Sequence, residues 1–342
     1  MKRILMNGLL AAAATVPAGA AFAEIDERVQ VYGRVDLSMD SVNGNGGNAM
    51  KIVDNASRLG ISGRESVGAG MTALFGLEAG FSADTGQAVD PLFRNAYVGL
   101  RGGFGVLALG RLDSAQESGS PLYSQVTRNV TFVVHDAGAT AIGTRWLNVR
   151  NRTSNAVGYM SPVFNGFSLR VRYHQPDPSD GAAKVSQEGD VKATDVGFNY
   201  ESKALSGGIG YGRNHRSGAP QENEFGQKWQ LVGSYDFGVA KVSALYGRDR
   251  YRATLGARGA VDYWLLGFAL PFRAGRQQVV VNYMKRDTQS DVRGKGSNFQ
   301  AGYIYHASKR TKLYASYARE QLNANKAGNL SNTISSGIQH RF

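Results

Sequence analysis

Apolar and polar residues alternate one for one through sixteen separate segments of this chain, and few folds accept that pattern. Val29, Val31, Val35, Leu37 and Met39 alternate with Gln30, Tyr32, Arg34, Asp36 and Ser38; Met71, Ala73, Phe75, Leu77, Ala79 and Phe81 alternate with Thr72, Leu74, Gly76, Glu78 and Gly80. Phe167, Leu169, Val171 and Tyr173 do so with Ser168, Arg170, Arg172 and His174. Period two means a strand with one apolar and one polar face. The connections alternate as well, short then long, and an even strand number brings both chain ends to one side. Bacterial outer-membrane barrels have those properties, with short periplasmic turns and long external loops. Nothing in a β-sandwich requires them. The expectation is an all-β protein: a sixteen-stranded antiparallel transmembrane barrel, residues 24–342, as one domain.

Composition agrees where it can. With no cysteine, disulfides and thiolate metal sites are excluded. No uninterrupted apolar run after the N-terminus is long enough for a membrane helix, and the mean hydropathy of −0.30 fits a barrel as well as a soluble protein. Lys2 and Arg3, the small apolar run Ile4 to Ala21 and the site Ala21-Phe22-Ala23 predict a signal peptide over 1–23 that is removed on export. Its loss leaves 37 basic against 27 acidic residues, a net +10.

One stretch breaks the rhythm. From Arg111 to Arg152 the alternation stops for about forty residues, a length that points to function when it is not disorder. It holds the apolar run Val130 to Val134 and sets Asp113, Glu117 and Asp136 against Arg111, Arg128, Arg145, Arg150 and Arg152. Two shorter loops are expected at Asp40 to Asn55 and Ser82 to Phe93.

Several blocks carry a family resemblance: Ser57-Arg58-Leu59-Gly60-Ile61-Ser62-Gly63-Arg64-Glu65, Arg94-Asn95-Ala96-Tyr97-Val98-Gly99-Leu100, Gly105-Val106-Leu107-Ala108-Leu109-Gly110-Arg111, Tyr159-Met160-Ser161-Pro162-Val163-Phe164-Asn165-Gly166-Phe167 and the ending Gly337-Ile338-Gln339-His340-Arg341-Phe342. Together, in this order, they resemble the trimeric general porins of Gram-negative bacteria, in the neisserial and related β-proteobacterial branch. The resemblance implies that 111–152 is a third external loop folded into the barrel as a constriction. It also implies that Phe342 belongs to an assembly signal and that the protein is a homotrimer in outer-membrane lipid and lipopolysaccharide. Arginines of related anion-selective porins cluster at the constriction, and their neighbourhoods match Arg58, Arg94 and Arg152. Strand parity independently places Arg34, Arg58, Arg64, Arg152, Arg170 and Arg172 on the polar face. Arg94 has the parity of Ala96 and Val98, so either its strand starts just after it or a bulge re-aims it. The acids Asp113, Glu117 and Asp136 are expected on the loop opposite.

Cations gathered in a narrow channel add their fields and concentrate anions. The expected function is therefore an outer-membrane channel for passive diffusion of small hydrophilic solutes and ions, preferring anions; the alternative is a porin preferring small anionic metabolites. An outer-membrane enzyme or adhesin is a further alternative, with Ser168 and His174 the one tempting catalytic pair. No catalytic residue, metal or cofactor is expected. The histidines at 135, 174, 215, 306 and 340 have no ligand spacing, and an exported barrel meets no nucleic acid.

Overall fold

The alternating segments become strands because each has one face to cover and one to hydrate, and register is fixed wherever the faces differ. The computed structural model describes residues 29–44, 47–113, 119–134, 147, 152–175, 192–215, 225–251, 259–288, 295–321 and 330–342. Residues 1–23, read as a signal peptide, lie outside them, as do Glu117 and Asp136. Seventeen strands and one helix occur among the described residues. The strands are β1 (Gln30–Gly44), β2 (Gly47–Asp54), β3 (Arg58–Gly68), β4 (Met71–Ser82), β5 (Gln87–Gly102), β6 (Gly105–Leu112), β7 (Thr153–Met160), β8 (Phe167–His174) and β9 (Ala193–Glu201). There follow β10 (Leu205–Asn214), β11 (Phe225–Asp236), β12 (Lys241–Tyr251), β13 (Ala260–Phe272), β14 (Gln277–Thr288), β15 (Gly296–His306), β16 (Thr311–Gln321) and β17 (Leu330–Arg341). The helix, α1, spans Pro121–Asn129 between β6 and β7.

From β3 onward each strand pairs antiparallel with the next, and β17 returns to β1 from Arg34↔Arg341 to Gly44↔Ser331. The sheet therefore closes on itself. β2 and β3 are two halves of one stave. β2 pairs the far half of β1 (Leu37↔Asp54 to Gly44↔Gly47) and β3 the near half (Gln30↔Ser62 to Arg34↔Arg58). The result is a closed sixteen-stranded antiparallel barrel. Phe342 completes the seam: Gly33 N donates to Phe342 O (3.1 Å) and Phe342 N to Gly33 O (3.2 Å). The Phe342 ring lies over Gly33, where a β-carbon would sit 2.3 Å from it.

The faces are the reverse of a soluble protein's. Ile334, Leu231, Leu266 and Ile209 are more than half exposed, whereas Asp36, Asp40, Gln230, Asn282, Gln300 and Ser335 are buried. An apolar outer face and a polar inner face are what a lipid-embedded barrel requires.

Two of the expected loops are shorter than the sequence suggested. β1 and β2 extend through most of 40–55, and β4 and β5 leave only 83–86 as a turn within 82–93. Gly- and Asn-rich composition marked these stretches as loops, but pairing across a hairpin satisfies their backbone regardless of side chain. The unbroken stretch 111–152 likewise contains structure, since β6 runs to Leu112 and α1 follows.

Candidate functional site

The arginines on the polar face of β3 and β5 are joined by acids into one chain of ion pairs. Arg58 Nε lies 3.5 Å from Glu78 Oε2, and Arg94 Nε donates to Glu78 Oε1 at 2.9 Å. Arg94 Nη2 is 3.9 Å from Asp113 Oδ2, and Arg152 Nε donates to the same oxygen at 2.7 Å. Among the described residues, the three cations and two anions of these pairs sum to 3 − 2 = +1. The side chains differ in access: 22% for Arg58, 14% for Arg152 and 9% for Arg94. Arg58 therefore has the most accessible side chain of the three, and Arg94 is the one most enclosed by acids.

A bulge places Arg94 there. β4 pairs Glu78↔Asn95 and then Ala79↔Phe93, so Arg94 is the extra, unpaired residue on β5. An inserted residue rotates the strand locally and brings a side chain of outer-face parity to the other face. Gly80 leaves room for it, the Arg94 Cδ lying 3.2 Å from where a β-carbon would be.

The remaining residues singled out in the sequence have different surroundings. Arg34 is buried and its Nη2 donates to Asn55 O (2.9 Å) and Ala56 O (3.0 Å), holding the break between β2 and β3, where Ala56 adopts a left-handed φ of 62°. Arg64 lies exposed, lining a cavity toward the short-turn end together with Arg58, Arg101 and Arg341. Asp113 does not stand opposite the basic wall. It is bound within it, because β6 carries the chain to Leu112 and leaves Asp113 at the strand's end beside Arg94 and Arg152. Arg172 is fully buried against Asp195 (2.8 Å) and Ser120 Oγ (3.3 Å). Sequence reasoning passed over Glu78, the acid that couples Arg58 to Arg94. Its polar-face parity within an apolar strand was the available signal.

Residues 119–134 lie against the buried face of the wall across β8 to β16. Ser120 caps α1, its Oγ accepting from Tyr123 N, and Pro121 opens the helix where its missing N–H costs nothing. Gln125 Nε2 donates to two wall carbonyls, Phe198 O (3.2 Å) and Ile209 O (3.0 Å). It fits because the wall residues beneath are glycines. A β-carbon on Gly208 would sit 2.6 Å from Gln125 Nε2, one on Gly210 2.7 Å from its Oε1, and one on Gly197 2.9 Å from Pro121 Cβ. Further along, Gln230 donates to Leu122 O (2.8 Å), Ser243 to Asn129 O (2.6 Å), Asn282 to Thr131 O (2.9 Å) and Lys312 to Val133 O (3.0 Å). Between these bonds Leu122, Val126, Val130 and Phe132 cover Val232, Leu245, Leu265 and Met284, all 3% exposed or less on the wall side.

A model of the Gram-negative porins matches residues 8–325. The chain belongs to that family. Among its relatives, outer membrane porin protein 32 of Delftia acidovorans is 28% identical over 92% of this chain and 89% of its own. In three dimensions the barrel is similar to an anion-selective porin from Comamonas acidovorans (TM-score 0.75, 23% identity, covering 93% of this chain and 100% of that one). It is also similar to the trimer form of OmpT from Vibrio cholerae (TM-score 0.69, 14% identity, covering 92% and 99%).

The porin resides in the outer membrane and passes small hydrophilic solutes by passive diffusion; it is a channel and not an enzyme. Its outer face carries aromatic residues toward both strand ends, as membrane interfaces favour. Trp229–Tyr246, Trp264–Tyr283 and Phe299–Tyr317 meet near the long connections; Phe167–Tyr200, Tyr235–Phe237 and Phe272–Tyr303 meet near the short turns. Tyr263 and Tyr314 are exceptions, buried on the opposite face. His174 of the pair Ser168/His174 is fully buried as well.

Proposed function

We propose that this porin prefers anions, that residues 111–152 form its constriction, and that Arg58, Arg94 and Arg152 set the preference with Arg34 and Arg64 nearby. The observation that carries the reading is the ion-pair chain with its +1 excess. Arg58 and Arg152 keep part of their side-chain surface accessible while the side chains of both acids are 5% exposed. A permeating ion thus meets cations before carboxylates. Charges on external loops act across water and are screened within about 8–10 Å at physiological salt, so the wall charges at the narrowest point dominate. Glu117 and Asp136 remain candidates for a facing acidic row, which would orient dipolar solutes across the opening. The same chemistry suits the runner-up, a preference for small anionic metabolites; competition of candidate carboxylates with chloride current separates the two.

The constriction reading is supported by the apolar patch Val232, Leu245, Leu265 and Met284. Such residues on the inner wall would otherwise border water, and the segment around α1 covers them. The glycine slot gives a direct test of what keeps that segment in place. In Gln125→Ala the amide leaves the slot and two hydrogen bonds of about 1 kcal/mol each are lost, whereas a β-carbon on Gly208 would also meet the backbone Phe198 O at 2.8 Å. Open-channel current noise in planar bilayers is expected to rise clearly above that of the unaltered channel. A quiet trace of unchanged conductance would show that the slot does not hold α1.

Assembly as a homotrimer of the chain left by cleavage behind Ala23 is supported by the contrast between outer faces. Around β17, β1, β3 and β4 that face is largely aliphatic, with Ile334, Ile338, Met39, Leu59, Ile61 and Leu77 all above 40% exposed. A large, mainly aliphatic surface, with Phe75 and Phe342 its exposed aromatics among the described residues, suits another subunit better than a lipid boundary. Native migration in mild detergent should correspond to three chains and fall to one on heating. Ile334→Arg with Ile338→Arg should give monomers before heating, and trimers from that variant would place the contact elsewhere.

A further inference from the structure

Two inward-facing tyrosines stay open to the lumen. Tyr263 and Tyr314 are packed away at 1% and 4% exposure. Tyr32 on β1 and Tyr97 on β5 share that inward parity but are only half-buried, and both border the cavity of about 650 Å³ on the short-turn side of Arg58. Each ring lies over a glycine directly opposite it, Tyr32 over Gly60 and Tyr97 over Gly76. A β-carbon on Gly60 would sit 2.4 Å from Tyr32 Cζ, and one on Gly76 would sit 2.4 Å from Tyr97 Cε1. Side chains at those positions would push both rings off the wall. With glycines there, the rings cover adjacent strands, β3 and β4. Ser62 pairs with Gly76, so Gly60 and Gly76 are one strand spacing and two residues apart, about 8 Å. The Tyr32 hydroxyl is also hydrogen-bonded to Glu78, which ties that ring to the ion-pair chain.

Cations stand at both ends of this aromatic floor. Arg58 is one inward position before Gly60 on β3, and Arg64 is two after it. Arg64 pairs with Leu74, which places it about 8 Å from Gly76 by the same geometry. Arg58 already holds Glu78, whereas Arg64 is exposed at the Tyr97 end. Glu78, the one acid lining the cavity among the described residues, is held by Arg94 as well. An inorganic anion can use the cations alone. A solute that joins a flat ring to a carboxylate can use both, because aromatic pairs gain from offset-stacked or edge-to-face contact and guanidinium matches carboxylate geometry.

We infer that Tyr32 and Tyr97 form a platform for planar aromatic carboxylates, which rest a ring on it beyond the constriction while Arg64 takes the carboxylate. Two rings on one side of the lumen hold such a solute weakly, and a channel needs binding loose enough to let the solute leave. The inference names a solute class for the anion preference proposed above and rests on that preference. The two fail separately. The zero-current potential in a KCl gradient reports the preference, and a ratio between two carboxylates of equal charge reports the rings.

The test measures block of chloride current through the assembled channel by benzoate and by cyclohexanecarboxylate, which have the same charge and carbon number. Benzoate should reach half-block at a concentration at least threefold lower. Tyr32→Leu with Tyr97→Leu should bring the ratio close to one, while Tyr97→Phe, which keeps the ring, should retain it. Arg64→Gln should raise both half-block concentrations by the same factor and leave the ratio alone. Benzyl alcohol, a ring without charge, should block far more weakly than benzoate. Equal half-block concentrations in the parent overturn the platform, and that measurement decides even if the leucine double variant does not assemble. A parent-like ratio in the assembled double variant overturns it too, as does block by benzyl alcohol equal to that by benzoate. Unchanged block of both carboxylates in Arg64→Gln overturns the role given to that arginine.

Discussion

Replacing Arg58 and Arg152 together by serine is expected to reverse the channel's ion preference. The chain of five charged groups goes from 3 − 2 = +1 to 1 − 2 = −1, because Glu78 and Asp113 stay while two guanidinium groups leave. In a tenfold KCl gradient, where a perfectly selective channel develops about 59 mV, the zero-current potential should move by tens of millivolts and change sign. The single variants should rank by exposure. Arg58→Ser should have the larger effect on selectivity, since its contact with Glu78 is long and its side chain the most accessible. Arg94→Ser should chiefly lower stability, because it strips Glu78 of its closest cation and leaves a buried carboxylate poorly paired. The preference of the unaltered channel should weaken as salt rises. A parent channel that already prefers potassium over chloride would falsify the anion reading and shift the weight to Glu78 and Asp113.

Deleting Ser120 to Gly143 is the second change with a large expected effect. The deletion removes α1 and the apolar run Val130 to Val134 after it, and single-channel conductance should rise severalfold. It also uncovers Val232, Leu245, Leu265 and Met284, and each such side chain loses on the order of 1.5–3 kcal/mol of burial. The closed backbone ladder is untouched, so the barrel should still assemble, but it should lose its heat-resistant migration at a lower temperature. Conductance unchanged in a correctly assembled trimer would place the segment outside the permeation path.

The two expected results depend on different kinds of information. Period two is a local property, so the alternation in β1, β4 and β8 was enough to specify strands, faces and closure. Parity likewise assigned Arg58, Arg170 and Arg172 to the polar face without any knowledge of their partners. Non-local pairing was not legible. Arg94 reads as outward along its own strand, and only the register of β4 against β5 leaves it unpaired and turned over. Asp113 reads as part of the loop, and only the extension of β6 to Leu112 fixes it beside Arg152. Gly197, Gly208 and Gly210 carry no mark of their role in the sequence; α1, which fills the space they leave, comes from nearly seventy residues or more earlier in the chain. Sequence determined the barrel because side-chain alternation is set residue by residue. Tertiary structure decided the site because a bulge, an ion-pair chain and a glycine slot each depend on which distant segments lie side by side.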